Sequence, residues 1–136
     1  MPGRNAEVVK RMFDEVINKG RLELVDELFT EDFVSHTGQA DLDREGFRGF
    51  VAGWRTGFPD VHCEVSQLLE EGDRVSWTVR ATGTHEGTFN GIPATGRKMD
   101  FLSMNHGQFR DGRGAEHWLV LDMFTLLTQL GVIPAA

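Results

Sequence analysis

Residues 97–121 read RKMDFLSMNHGQFRDGRGAEHWLVL, and this stretch decides the fold. Two strand-length runs, 97–110 and 114–121, flank Arg110-Asp111-Gly112-Arg113. An Asp-Gly pair between such runs is a strong short-range hairpin signal. Alternation sets Leu102 and Met104 on one face and Phe101 and Ser103 on the other. Both faces therefore carry apolar groups, so both are expected to be covered, one by helices and the other by a partner subunit. The turn admits two registers. A type I turn with a glycine bulge sets Phe109 opposite Arg113, Asn105 opposite His117 and Ser103 opposite Leu119. A two-residue type I′ turn sets Arg110 opposite Arg113, Asn105 opposite Trp118 and Phe101 opposite Asp122. Glycine suits the bulge position, which favours the first.

Working outward, strand patterns continue upstream. Val75, Trp77, Val79 and Ala81 alternate with Ser76, Thr78, Arg80 and Thr82. Before the turn EEGD, Val61, Cys63 and Val65 alternate with His62 and Glu64, and the phase slips near Gln67, which predicts a bulge. The segment GTHEGTFNGIPATG is a turn-rich connection. The first half of the chain reads as helix. Val9, Met12, Phe13, Val16 and Ile17 form one stripe, with Asn5 as N-cap and Gly20 as the stop. A second helix carries Leu22, Val25, Leu28 and Phe29 on one face and breaks at Thr30 to Asp32. DFVSHTG reads as a short strand. A third helix is capped by Asp43 and ended by Pro59.

That third helix carries an aromatic stripe, Phe47, Phe50 and Trp54, beside a stripe of Gly46, Gly49 and Gly53. Each mid-helix glycine costs about 1 kcal/mol against alanine. Close packing is the first explanation, and room for a ligand beside an aromatic wall is the second. Helices followed by strands define an α+β class. A curved sheet closed by helices would enclose an apolar pocket with a few polar groups.

Composition bounds the function. At 136 residues, with 40% hydrophobic and 26% charged, the chain is expected to form one domain over 1–136. Its 14 basic and 21 acidic residues give a net charge of −7, so nucleic acid is not an expected partner. Cys63 is the sole cysteine, which rules out an internal disulfide or a cysteine-based zinc site. Tyrosine is absent, so no phenol can act as acid or oxyanion donor. The start, MPGRNAEVV, lacks an apolar signal core, and no apolar run is long enough for a bilayer. No membrane partner and a cytoplasmic location are expected.

No dinucleotide, phosphate-loop or nucleophile-elbow motif occurs. HEGTF starts like a zinc-protease motif, but Phe89 stands where the second histidine must be. The five histidines are scattered, so no metal is expected. What remains is acid/base chemistry by the chain itself. His117 titrates near neutrality, and Asn105 could orient a carbonyl. His36, on the short strand, is a candidate at a pocket rim. Asp122 precedes the helical pattern MFTLLTQL, where aspartate is first an N-cap and second an acid/base candidate. For His117 the plainer reading is a histidine hydrogen-bonded inside the sheet.

The order of WRTGFPD, EEGDRV, ATGTHEGTFNGIPATGR, DGRGAEHW and DMFTLLTQLG resembles the SnoaL-like polyketide cyclase family over nearly the whole chain. The resemblance implies the nuclear-transport-factor-like (NTF2-like) cone and cofactor-free ring closure of aromatic polyketides by intramolecular aldol chemistry, with some relatives acting as hydroxylases. Family cyclases use an aspartate on the last strand, two residues after a histidine. That histidine matches His117, but the aspartate falls on Leu119, and a second pocket histidine falls on Asn105. The later aspartate of the motif matches Asp122.

The resulting expectation is an α+β cone, acting as a homodimer on a hydrophobic small molecule in secondary metabolism. His117 would transfer the proton, with His36 and Asp122 as alternative carriers. Asn105 and Ser103 would hold the carbonyl, while Met12, Val16, Trp54, Phe58 and Leu119 shape the wall. The rival from another class is a non-catalytic binding domain. A hydroxylase or epoxide-hydrolase relative would need Asp100 or Asp122 to point inward.

Overall fold

The computed structural model describes residues 4–134, so the extreme ends of the chain, 1–3 and 135–136, lie outside it. The amino-terminal helix starts as α1 (Arg4–Arg11) and widens into π-helical turns over Met12–Ile17. Asn5 lies within α1 and is not its cap. The predicted stripe is buried at Val9, Met12, Phe13 and Val16. The wide end is anchored twice. The Asn18 side chain exchanges two hydrogen bonds with the Cys63 backbone, donating at 2.9 Å and accepting at 2.7 Å. The Arg55 guanidinium donates to the carbonyls of Ile17 and Asn18 at 2.7 and 3.1 Å.

The second helix is shorter than its pattern suggests. A 3₁₀ turn (Leu22–Leu24) leads into α2 (Val25–Leu28), and β1 (Phe29–His36) begins where a helix break was expected. After β2 (Asp41–Leu42) comes α3 (Arg44–Gly57). Asp43 caps α3 by accepting from Gly46 N–H at 2.7 Å. The strands β3 (His62–Glu71), β4 (Arg74–Thr84), β5 (Lys98–Arg110) and β6 (Arg113–Leu121) follow, and α4 (Met123–Gln129) closes the described chain. Gln67, at φ 49°, marks the expected slip in β3.

The six strands form one sheet in the order β2-β1-β6-β5-β4-β3. All neighbours are antiparallel except β1 and β6, which run parallel and set Ser35 beside His117. Packed against this mixed sheet, the helices complete an open, cone-like α+β structure.

The central hairpin differs from both expected registers. Its turn is the two-residue kind, with Arg110 opposite Arg113 and positive φ at Asp111 and Gly112. The pairing then shifts between Gln108 and Phe109, leaving Ala115 as an extra residue on β6. Beyond the bulge, Gly107 faces His117, Asn105 faces Leu119 and Ser103 faces Leu121. The bulge restores the facing of the first register while sliding its partners by two residues. Asn105 and His117 thus share the inner face as diagonal neighbours.

Candidate active site

The inner face of the sheet and the helices enclose a hollow of about 60 Å³. Met12, Phe13 and Ile17 come from the widened first helix, and Phe47, Phe50, Val51 and Trp54 from α3. Val61 precedes β3, and Cys63, Val79, Ala81, Phe101, Leu119 and Leu121 come from the strands. Burial pushes the Cys63 thiol up to about 12, so it stays protonated and serves as wall. Polar groups occupy one corner only: Ser103, Asn105 and His117.

These three groups form a chain with Ser35 behind them. Ser35 Oγ lies 2.8 Å from His117 Nδ1, and His117 Nε2 lies 2.8 Å from Asn105 Oδ1. Asn105 Nδ2 donates to Ser103 Oγ at 3.1 Å. With the amide in this orientation, Nε2–H donates to Asn105, and Nδ1 accepts from the Ser35 hydroxyl. All four residues are buried. Burial pushes His117 down to about 3, and the nearby charges of His36 and His106 act in the same direction. The ring is therefore neutral at ordinary pH.

Its orientation is over-determined. Trp77 stacks on it at 5.7 Å and 6° between planes, and Phe47 meets its edge at 6.2 Å. Gly107 makes this possible. A Cβ there would meet the Trp77 ring at 3.4 Å and Phe109 at 3.0 Å.

Of the expected site residues, the structure brings His117, Asn105, Ser103, Met12, Trp54 and Leu119 to the hollow. Val16 and Phe58 are fully buried but do not line it; Phe58 stacks behind Trp54 at 5.8 Å. Their patterns marked burial, and burial alone does not separate wall from core. His36 is not at the hollow. Alternation along β1 turns it to the opposite face from Ser35, where it contacts Asp41 and Glu116 at 2.7 Å each and stacks on Trp118 at 5.4 Å.

Asp122 is likewise outside the hollow. It caps α4, accepting from Thr125 N–H at 3.1 Å and Thr125 Oγ1–H at 2.6 Å, and these bonds hold its carboxyl below the usual range. Asp100 also faces outward, accepting from Arg80 at 2.8 and 2.5 Å. No carboxylate lines the hollow among the described residues.

Ser35 is the member that the sequence did not reveal as part of this site. Its only local signal is that it shares a strand face with Phe33; the parallel β1–β6 pairing is not written in either segment. Among the described residues, no group of three or more His, Cys, Asp or Glu could hold a metal ion, and no helix is long and apolar enough to cross a membrane.

Helices closing a curved mixed sheet around an oily hollow, with a few neutral hydrogen-bonding groups in one corner, define an NTF2-like cone. The chain belongs to the SnoaL-like polyketide cyclase family, whose profile it matches over residues 7–130. Among solved structures it is similar to IdmH of Streptomyces antibioticus, a proposed polyketide cyclase, at 33% identity and TM-score 0.84, covering 95% of this chain and 99% of that one. It is also similar to a proposed SnoaL-like polyketide cyclase of Jannaschia sp. CCS1, at 28% identity and TM-score 0.87, covering 96% and 94%. A third relative is AclR of Streptomyces galilaeus, a proposed hydroxylase, at 27% identity and TM-score 0.87, covering 97% and 83%. No curated protein sequence matches the chain.

Proposed function

We propose that this chain acts on a hydrophobic, polyketide-like carbonyl compound, using its own groups to move a proton and close a ring. The observation that carries this reading is the neutral imidazole of His117, held with Asn105 and Ser103 in the one polar corner of an apolar hollow. Ser35 can donate or accept, so it supports either neutral tautomer of His117. With Nδ1–H donating to Ser35, Nε2 carries a lone pair, and the guest displaces Asn105 from it.

Nε2 then takes a proton from a carbon flanked by carbonyls. The electron pair moves to the carbonyl oxygen, which is met by Ser103 Oγ–H and Asn105 Nδ2–H. The enolate carbon attacks a second carbonyl of the same molecule, and the imidazolium returns its proton to that oxygen. A base held near 3 is weak. The substrate class that suits it has acidic 1,3-dicarbonyl positions, and burial drives the borrowed proton back off the ring.

The test is deuterium exchange at the central methylene of 1-(2-naphthyl)butane-1,3-dione, followed by NMR. The wild type is expected to exceed solvent exchange, and His117→Ala to lose about 10²–10⁴-fold of that rate. Exchange at the solvent rate with wild-type protein overturns the reading. One observation favours a second reading, binding without chemistry: both nitrogens of His117 already have partners. Saturable binding of the dione without exchange is its expected signature.

The reading includes a homodimer in the cytoplasm. Leu102, Met104 and Val120 are 53, 60 and 70% exposed on the outer face of the sheet, and Met104 and Val120 are direct cross-strand partners. A second copy covering this face would remove that apolar surface from water. The lone thiol, Cys63, is buried and suits a reducing compartment.

A further inference from the structure

Helix α3 carries a cost that packing does not explain. Gly49 and Gly53 stand in its interior, where glycine is disfavoured, yet a Cβ at either would meet nothing within 4 Å. Neither has the positive φ that would require glycine. Gly46 differs, because a Cβ there would meet Leu42 at 3.3 Å. Close packing, the first explanation for the stripe, therefore fails at two of its three positions.

Both glycines border an outer groove of about 280 Å³. Phe50, Trp54 and Leu121 line this groove and the inner hollow alike, so they form the partition between the two. Directly across the strand pair from Leu121, and so beside this partition, stands Ser103, 6% exposed. It accepts from Asn105, and its own hydroxyl hydrogen has no acceptor among the described residues. The hollow alone, about 60 Å³, is far smaller than the roughly 300–1,000 Å³ typical of small-molecule sites.

The groove's chemistry is also specific. Although 26% of the chain is charged, no Asp, Glu, Lys or Arg lines it. Its polar contributors are Thr37, Gln39 and Asn90, and Gln39 and Asn90 are exposed, so their side-chain amides face solvent.

We propose that this groove is the second half of the binding site and takes an uncharged, hydroxyl- or carbonyl-bearing extension of the guest. The proposal rests on the reading of the hollow as a ring-binding site. The guest is then a two-part molecule. A flat carbonyl-bearing ring passes the Phe50–Trp54–Leu121 partition, and a neutral polar arm lies along the bare face of α3. The glycines keep that face low, and the amides of Gln39 and Asn90 meet the arm.

The experiment uses three probes: 2-acetylnaphthalene, the same ketone bearing a hydroxyl-terminated diethylene glycol ether at position 6, and the same ketone bearing a carboxypropyl ether there. Affinities are measured by calorimetry on the full chain. The neutral arm is expected to improve binding by about tenfold, the worth of one or two hydrogen bonds. The carboxylate arm is expected to give no such gain. In Gly49→Leu/Gly53→Leu the ratio between the first two probes falls to within twofold of unity, while the melting temperature holds or rises. Equal, measurable affinity of wild type for the first two probes overturns the groove and leaves the hollow standing. A larger gain from the carboxylate overturns the chemistry assigned to it, and so does a preference that survives in the double variant. Absence of binding by all three probes overturns the reading of the hollow, and the groove with it.

Discussion

His117 is neutral because the fold removes it from water, and the nearby His36 and His106 act in the same direction. The sign of its contribution follows. Unfolded, the ring titrates near 6.5; folded, it is held near 3. Between those values the unfolded chain binds the extra proton, so the contribution is complete above about 6.5 and is lost as pH falls toward 3. The slope is roughly 1 kcal/mol per pH unit. Urea midpoints measured from pH 4 to 7 are expected to fall on the acid side, and His117→Gln to flatten that fall. His36 works in the opposite sense. Glu116 first, and Asp41 second, raise its proton affinity, so its contribution is present at low pH and lost as pH rises through its folded range. Asp122 fills the first of the two roles its position suggested, the N-cap of α4. Asp122→Ala is expected to lower the melting temperature by loss of the α4 cap while leaving dione exchange unchanged. A thermal melt and the exchange assay on the same preparation check both halves.

At the scale of the element, α3 and the β5–β6 hairpin show what local patterns carry and where they stop. The α3 cap at Asp43, its end before Pro59 and its aromatic stripe were all legible, because capping, proline sterics and helical spacing act within one turn. Whether its glycines meet another element or open space was not legible, since that depends on what lies opposite. Gly49→Ala and Gly53→Ala are each expected to stabilise the protein, by about 1 kcal/mol, because both sites are helical and unobstructed. Chemical denaturation of the single variants checks this. In the hairpin, Asp111-Gly112 announced a turn, but a bulge at Ala115 reset the register beyond it. A bulge placed by the curvature of a whole sheet leaves no mark in the two strands it joins.

At the scale of the molecule, both faces of the sheet carry apolar groups, and the outer one leaves Leu102, Met104 and Val120 exposed beside charged neighbours. Met104→Glu is expected to turn the proposed homodimer into monomers, because it sets a carboxylate opposite Val120 among those exposed apolar groups. Sedimentation velocity at micromolar concentration reads this directly. An unaltered sedimentation coefficient at the mass of one chain in both proteins removes the dimer from the account. In the proposed reading, the inner face makes a small hollow with three polar groups specific: its other described lining groups are hydrophobic, so a guest oxygen would find partners in one corner.

The amino-acid sequence alone determined the α+β order, the caps of α3 and α4, the alternating strands, the acidic charge and the apolar character of the inner face. Each of these follows from spacing and residue chemistry within a few turns of chain. Only the tertiary structure decided that Ser35 would stand behind His117, that His36 would turn away, and that two glycines would face an open groove. Those outcomes depend on the parallel pairing of β1 with β6 and on a bulge between distant segments. Contacts of that kind are settled by which surfaces can be buried together, and no local stretch of the chain encodes them.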